Sequence, residues 1–284
     1  MKITTGPSQF RTEFVLQHNG LKCSEVQATL DAMQGLTGYS YGLIPFSKDI
    51  TGLDTIPRAD YPMVALGSTK LVQMHHEGLL PDNWLVFHDM TTFSQDYYGP
   101  LLGSELLNHK STFMSLESAM NLGAFDEMMF IKPADDLKMF AGGLMCEGDS
   151  VASMLSNMQH QELDMEATVL LAPYQELYRE YRVFVVDGVA VGFTQYKDEN
   201  QNIKAATVSQ TTRDQLYFNT KRIDKHFRPA DVYTIDYAEV GPTKKLKVVE
   251  YNCFNCSGMY KADRNAVLKY LATYIDSLEL HFEY

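Results

Sequence analysis

Three residues near the C-terminus carry oxygen donors at spacings that suit one sheet face: Asp236, Glu250 and Asn252. They lie in "DVYTIDYAEVGPTKKLKVVEYN", two β-rich runs around a Gly/Pro turn, which predicts a hairpin. With the turn centred on Thr243, Asp236 and Glu250 are each seven residues away and face each other across the pair. Asn252 shares that face because strand side chains alternate. Two carboxylates directly opposite repel unless a cation sits between them. Donors that are all oxygen suit Mg²⁺ or Mn²⁺ rather than zinc. A solvated sheet face fits the same pattern, and a one-residue slip in register would part the pair.

Other candidates lie upstream. In "REYRVFVVDGVAVGFTQY" the Asp187-Gly188 pair between β-rich runs is a strong hairpin signal. It puts Glu180, Arg182, Phe184 and Val186 on one face. An arginine on a half-buried face calls for an anion. That anion is either a phosphate or carboxylate ligand, or Glu180 in an ion pair at the mouth of the hairpin. Lys132 ends the apolar run "FIKP", and Lys138 follows just before Gly142-Gly143. A lysine at a strand end and a second in a Gly-bearing loop resemble parts of a phosphate cradle. Each alone also reads as a surface residue, and no Walker A motif is present.

The elements that must position these residues give a mixed α/β pattern, with antiparallel sheet in the second half. "YPMVALGSTKLVQMHHEGLL" reads as strand, turn and helix, and "NWLVFHDM" as another strand. A helix closing at Asn121-Leu-Gly, the "EMMFIKPAD" strand, a helical "SVASMLSNMQH" and the strand "ATVLLAPYQEL" follow. Between the two hairpins the stretch around Arg222 to Arg228 is helix-like, and "DRNAVLKYLATYIDSLELHF" is an amphipathic helix.

The chain has 284 residues, 45% hydrophobic and 21% charged, an ordinary globular composition. Its 24 basic and 36 acidic residues leave a net charge of −12, which argues against a nucleic-acid or anionic-membrane surface. No apolar run approaches the roughly 18 residues of a membrane helix. "MKITTGPSQFRTEF" lacks an apolar signal segment, so a cytoplasmic location is expected. Cys253 and Cys256 form a C-x-x-C with no second pair or nearby histidine to complete a zinc site, so they read as structural. His75, His76 and His88 also read as structural or surface residues.

The order of these parts resembles the ATP-grasp superfamily over about residues 95–275, carried by "FIKP", "EYRVFVVDG" and "YTIDYAEV…KVVEYNCFNCSGMY". The form is similar to a divergent branch of predicted ligases from bacteria and their phages. That branch is related to a eukaryotic cell-division and translation-initiation-factor assembly protein. The resemblance implies two subdomains whose antiparallel sheets clasp ATP, at about 110–175 and 176–284 within residues 95–284, after an α/β pre-grasp domain at 1–94.

It further implies that Lys132, and less directly Lys110, meet ATP phosphates. Pro173, Tyr174, Gln175 and Glu176 form the adenine hinge, and Glu180 holds the ribose. Arg182 faces the triphosphate or acyl intermediate, with Lys138 replacing the usual Gly-rich loop. Asp236, Glu250 and Asn252 hold Mg²⁺ or Mn²⁺, and Asn255, Ser257 and Tyr260 touch the second substrate. The implied activity is a carboxylate–amine ligase acting through an acyl phosphate on a small-molecule, amino-acid, peptide or protein acceptor. The alternative is an ATP-binding assembly factor that ligates nothing.

Overall fold

The computed structural model describes residues 12–18, 24–45, 61–137, 139–156 and 163–278. The described residues build three sheets. The first is parallel, in the order β2-β1-β3-β4, from β1 (Glu13–His18), β2 (Tyr41–Pro45), β3 (Met63–Leu66) and β4 (Trp84–Leu85). Its strands are near-continuously apolar because both faces are covered. Phe14, Leu16, Val64 and Leu66 pack toward α1 (Ser24–Gly35). Val15, Met63 and Ala65 pack on the other side with Leu71 and Met74 of α2 (Thr69–His76). The strand read in "NWLVFHDM" shrinks to Trp84–Leu85.

After α3 (Gln95–Leu102) comes a small antiparallel sheet, ordered β5-β8-β6-β7. It comprises β5 (Thr112–Ser115), β6 (Met129–Pro133), β7 (Gly143–Met145) and β8 (Thr168–Pro173). Its apolar face rests on α4 (Leu116–Met120) and α5 (Val151–Ser156).

The third sheet has the order β11-β10-β9-β12-β13 and is antiparallel throughout. It joins β9 (Leu177–Val186), β10 (Val189–Lys197), β11 (Ile203–Ala206), β12 (Val232–Val240) and β13 (Lys245–Cys253). The Asp187-Gly188 turn has φ of 47° and 71° at its two central residues, as a type I′ hairpin requires. One face of this sheet, with Tyr181, Val183, Tyr233, Ile235, Tyr237 and Tyr251, is buried under α3 and α6 (Gln210–Asp224). That helix begins well before the 222–228 stretch and holds only the first three residues of it, because Ser209 caps it, accepting from the Thr212 N–H at 3.2 Å.

The opposite face is divided. At one end Phe184, Val186 and Val232 pack against α7 (Arg264–Asp276), whose Val267, Leu268, Leu271 and Ile275 complete a core shared with the first sheet. At the other end Glu180, Arg182, Asp236 and Glu250 face a cleft. Among the described residues no helix is long and apolar enough to cross a membrane.

Candidate active site

The cleft encloses about 630 Å³ between the second and third sheets. Phe130, Leu144, Pro173, Tyr174 and Ile203 make one end apolar, while Lys132, Arg182, Asp236 and Glu250 make the other end charged.

The charged end rests on strand register. Asp236 is paired with Glu250 on β13 and with Arg182 on β9, so three charged residues stand in a row across adjacent strands. A bulge makes the first pairing. From the turn to Tyr237 the partners run Val240↔Lys245 through Tyr237↔Val248. Val249 then drops out of the ladder, and Asp236 meets Glu250. The same bulge lets Val248 and Tyr251 both enter the core on the far face. Asn252 lies opposite Thr234, one step along.

Arg182 grips Asp236 with a two-pronged fork, Nε to Oδ1 and Nη2 to Oδ2, both at 2.8 Å. The side chains are 7% and 1% exposed, so each charge depends on the other. Burial opposes the Arg182 charge, but the Asp236 charge and hydrogen bonds outweigh it and push the guanidinium pKa above its usual value. The Arg182 guanidinium carbon also lies 5.4 Å from the ring centre of Tyr196 and 5.8 Å from that of Tyr260. These two rings stack at 5.7 Å. Arg182 therefore answers Asp236 and not Glu180. Glu180 accepts from the Tyr196 hydroxyl and, at 2.8 Å, from Lys197 Nζ.

Lys132 Nζ donates to Glu250 Oε2, joining two sheets across 118 residues of chain. Asn252 Nδ2 donates to Asp236 Oδ2 at 3.2 Å. Oxygen donors from Asp236, Glu250 and Asn252 fit a hard divalent cation. Among the described residues no three His, Cys, Asp or Glu side chains suffice alone, so such a site needs the Asn252 amide. Asp236 already accepts three N–H bonds, one on Oδ1 and two on Oδ2, which leaves a lone pair of Oδ1 for a cation.

The other sequence candidates divide. Pro173, Tyr174, Gln175 and Tyr260 line the cleft, and the Gln175 amide donates to Leu107 O. Glu176 is exposed, and its carbonyl is held by the Gly241 N–H. Lys110 is exposed and does not line the cleft, whereas Leu107, whose N–H bonds Val248 O of β13, and Asn108 do. Lys138 lies outside the described residues. Gly142 lines the cleft, and a Cβ there would stand 2.7 Å from the tip of the Phe130 ring, which would have to shift.

Asn255 is a buried clamp. Its Nδ2 donates to Ala65 O and Leu85 O, and its Oδ1 accepts from Phe87 N. Ser257 bonds Thr234 and the Cys253 carbonyl, and lines a second cavity of about 280 Å³ with Gln17, Glu25 and Ser68. Glu25 accepts from the backbone N–H groups of Met259 and Tyr260 and from Arg264, fixing the turn that carries Tyr260 at φ 46°.

Tyr196, Lys197 and Asp136 escaped the sequence reading. Register shifts along the β9–β10 pair bring Lys197, not Gln195, opposite Glu180. Charge complementarity between Glu180 and Lys197 was the available signal.

Residues 101–271 match the family model described as ATP-grasp domain, R2K clade family 3. The chain belongs to this ATP-grasp family. Membership places it among the ATP-dependent carbon–nitrogen ligases.

Solved structures agree on the fold. The D-alanine–D-alanine ligase of Bacillus anthracis complexed with ATP superposes with a TM-score of 0.58 at 13% identity, covering 94% of this chain and 97% of that one. A RimK domain ATP-grasp protein of Sphaerobacter thermophilus gives 0.57 at 13%, covering 92% and 99%. The D-alanine–D-alanine ligase of Helicobacter pylori gives 0.54 at 13%, covering 93% and 98%. Among curated proteins none matches the sequence.

Proposed function

We propose that this ATP-grasp protein is a cytoplasmic carboxylate–amine ligase. The supporting observation is the convergence of Lys132, Arg182, Asp236 and Glu250 from two sheets on one end of a single cleft, with buried Asn252 bonded to Asp236 behind them. The apolar end, with Phe130 and Tyr174, suits a purine, and Glu180 stands beside it as an acceptor for ribose hydroxyls. In this reading residues 1–94 form a pre-grasp domain, and the cleft lies between subdomains at about 110–175 and 176–284.

The reaction balances as two transfers. The substrate carboxylate takes the γ-phosphoryl group of ATP and ADP leaves. The amine then attacks the acyl carbon, the C–N bond forms, the C–OP bond breaks, and phosphate and the amine's proton depart. Lys132 and Arg182 present fixed positive charge where phosphoryl oxygens gather charge, so little reorganisation is needed during transfer. Glu250 and Asn252, joined by Asp236, would hold Mg²⁺, which when bound neutralises phosphate oxygens. Tyr260 and Ser257 stand on the turn between the cleft and the smaller cavity, where an amino-acid or peptide acceptor fits. No side-chain nucleophile is required, which leaves Cys253 and Cys256 structural.

The test is ATP consumption with candidate amines and carboxylates, following ADP, AMP and phosphate. ADP and phosphate that depend on both acceptors are expected. AMP, or tight ATP binding with no turnover on any acceptor, refutes the ligase. Glu250→Gln is expected to abolish Mg²⁺-dependent turnover while leaving the melting temperature near that of the parent; unchanged turnover removes Glu250 from the metal set.

A further inference from the structure

We propose that His88, acting through Asp136, is a positioning residue for the charged end of the cleft. The inference rests on the ATP-binding reading above.

Asp136 lines the cleft four residues beyond Lys132, on the segment leaving β6. Its side chain is only 2% exposed, and both oxygens are engaged. Oδ1 lies 2.7 Å from His88 Nε2, and Oδ2 accepts the Cys253 N–H at 2.7 Å. Cys253 directly follows Asn252 at the end of β13. One carboxylate thus ties the exit of the lysine strand to the end of the Glu250–Asn252 strand. The tie is oriented from the first α/β unit by one imidazole.

That imidazole is itself held. Its side chain is 1% exposed and it stacks on Phe93 at 4.8 Å and 26°. Its Nδ1 lies 2.7 Å from Nε2 of His76, an exposed residue closing α2. The residue before it, Phe87, donates its N–H to Asn255 Oδ1. The α/β unit therefore grips the end of β13 through Asn255 and the exit of β6 through His88. Both grips lie just beyond Lys132 and Glu250 along their strands, and the contact between those two side chains spans the cleft.

His88 has a second effect. A buried carboxylate deprived of a donor seeks another cation or water. Asp136 shares its cleft with Lys132 and Arg182, the charges assigned to phosphate. His88 keeps the Asp136 charge turned away from them. It touches neither ATP nor the reacting atoms in this arrangement, so it positions rather than catalyses.

A histidine that merely fills the core would affect stability alone. The discriminating measurement is Mg²⁺-ATP affinity by titration calorimetry, beside apo melting temperature. His88→Leu is expected to weaken Mg²⁺-ATP binding about 10- to 100-fold, the usual range for losing such a supporting contact. His88→Gln, whose amide N–H reaches the place of Nε2, is expected to restore most of it. Lys132→Ala is expected to cost less in the His88→Leu background than in the parent, because the lysine is already misplaced there.

If His88→Leu does not fold, isosteric Asp136→Asn serves, with a loss of the same order expected. Unchanged affinity in the Leu or Asn variant, equal losses for Leu and Gln, or additive losses with Lys132→Ala overturn the inference. Failure of the unaltered chain to bind Mg²⁺-ATP overturns the proposed function itself, and is thereby distinguished.

Discussion

Removing the charge of Asp236 strands a buried guanidinium. Arg182 is 7% exposed and gives both of its forked N–H bonds to this one carboxylate. Asp236→Asn leaves at most one good acceptor and no counter-charge. Breaking one side of a buried pair costs about 3–5 kcal/mol. The rings of Tyr196 and Tyr260 lie beside the guanidinium with or without the carboxylate, so they do not change that cost. The net loss is then about 3–5 kcal/mol, or of order 10 °C in melting temperature for a chain of this size.

Removing both charges should be far milder. Arg182→Met with Asp236→Leu replaces the pair by apolar groups, an exchange that is often neutral or stabilising. Urea unfolding of the apo protein reads the stabilities, and calorimetry reads Mg²⁺-ATP binding. The double variant is expected to regain stability and to bind no nucleotide, showing that the pair serves the site at little net gain to the fold. Asp236→Asn within 1 kcal/mol of the parent, or a double variant less stable than the single one, would refute this reasoning.

Further outcomes follow from other residues. Lys132→Ala should weaken Mg²⁺-ATP binding and slow turnover about 10²–10³-fold, as for loss of one electrostatic contact; unaltered nucleotide affinity removes Lys132 from the site. Gly188→Ala should destabilise by about 1–3 kcal/mol, since φ is 71° and a Cβ would lie 2.2 Å from Arg228 Nη2; a melting temperature equal to the parent's rules this out. His75 and His76 sit below the usual imidazole value of 6.5, chiefly through partial desolvation against the packed α2 end and then through the neighbouring His88. A histidine whose folded pKa is lowered contributes stability that is whole above the unfolded value and is lost as pH falls through the folded one. The melting temperature should therefore drop between pH 7 and 5, and less steeply when both residues are Asn. An equal slope in the double variant would exclude these two histidines as the cause.

The chain's local chemistry determined much of this protein. Asp187-Gly188 between β-rich runs specified a hairpin because φ must be positive at both turn residues. The alternation of Glu180, Arg182 and Phe184 specified a shared face. The order of lysine strand, Arg-bearing hairpin and Asp…Glu-x-Asn hairpin pointed to the family that the 101–271 match establishes. Even the facing of Asp236 and Glu250 was legible, but for an incomplete reason. The turn alone would pair Asp236 with Val249, and only the bulge at Val249 restores Glu250. A bulge is chosen by packing on the far face, where Val248 and Tyr251 both need the core, and no local signal announces it.

Partner choice was decided in three dimensions. The sequence left Arg182 either a ligand anion or Glu180 as partner, whereas register across β9 and β12 gave it Asp236, and register shifts along β9–β10 gave Glu180 to Lys197. Lys110 is exposed, two residues past Asn108 in the cleft wall. Asn255 follows the Glu-x-Asn strand and lines the smaller cavity, and only the fold shows that its amide also bonds Ala65, Leu85 and Phe87 of the first α/β unit. Periodicity and turn chemistry act over a few residues and survive in a linear reading. The bonds joining His88 to Asp136 and Asp136 to Cys253 span 48 and 117 residues, and only the packed sheets bring those groups within reach.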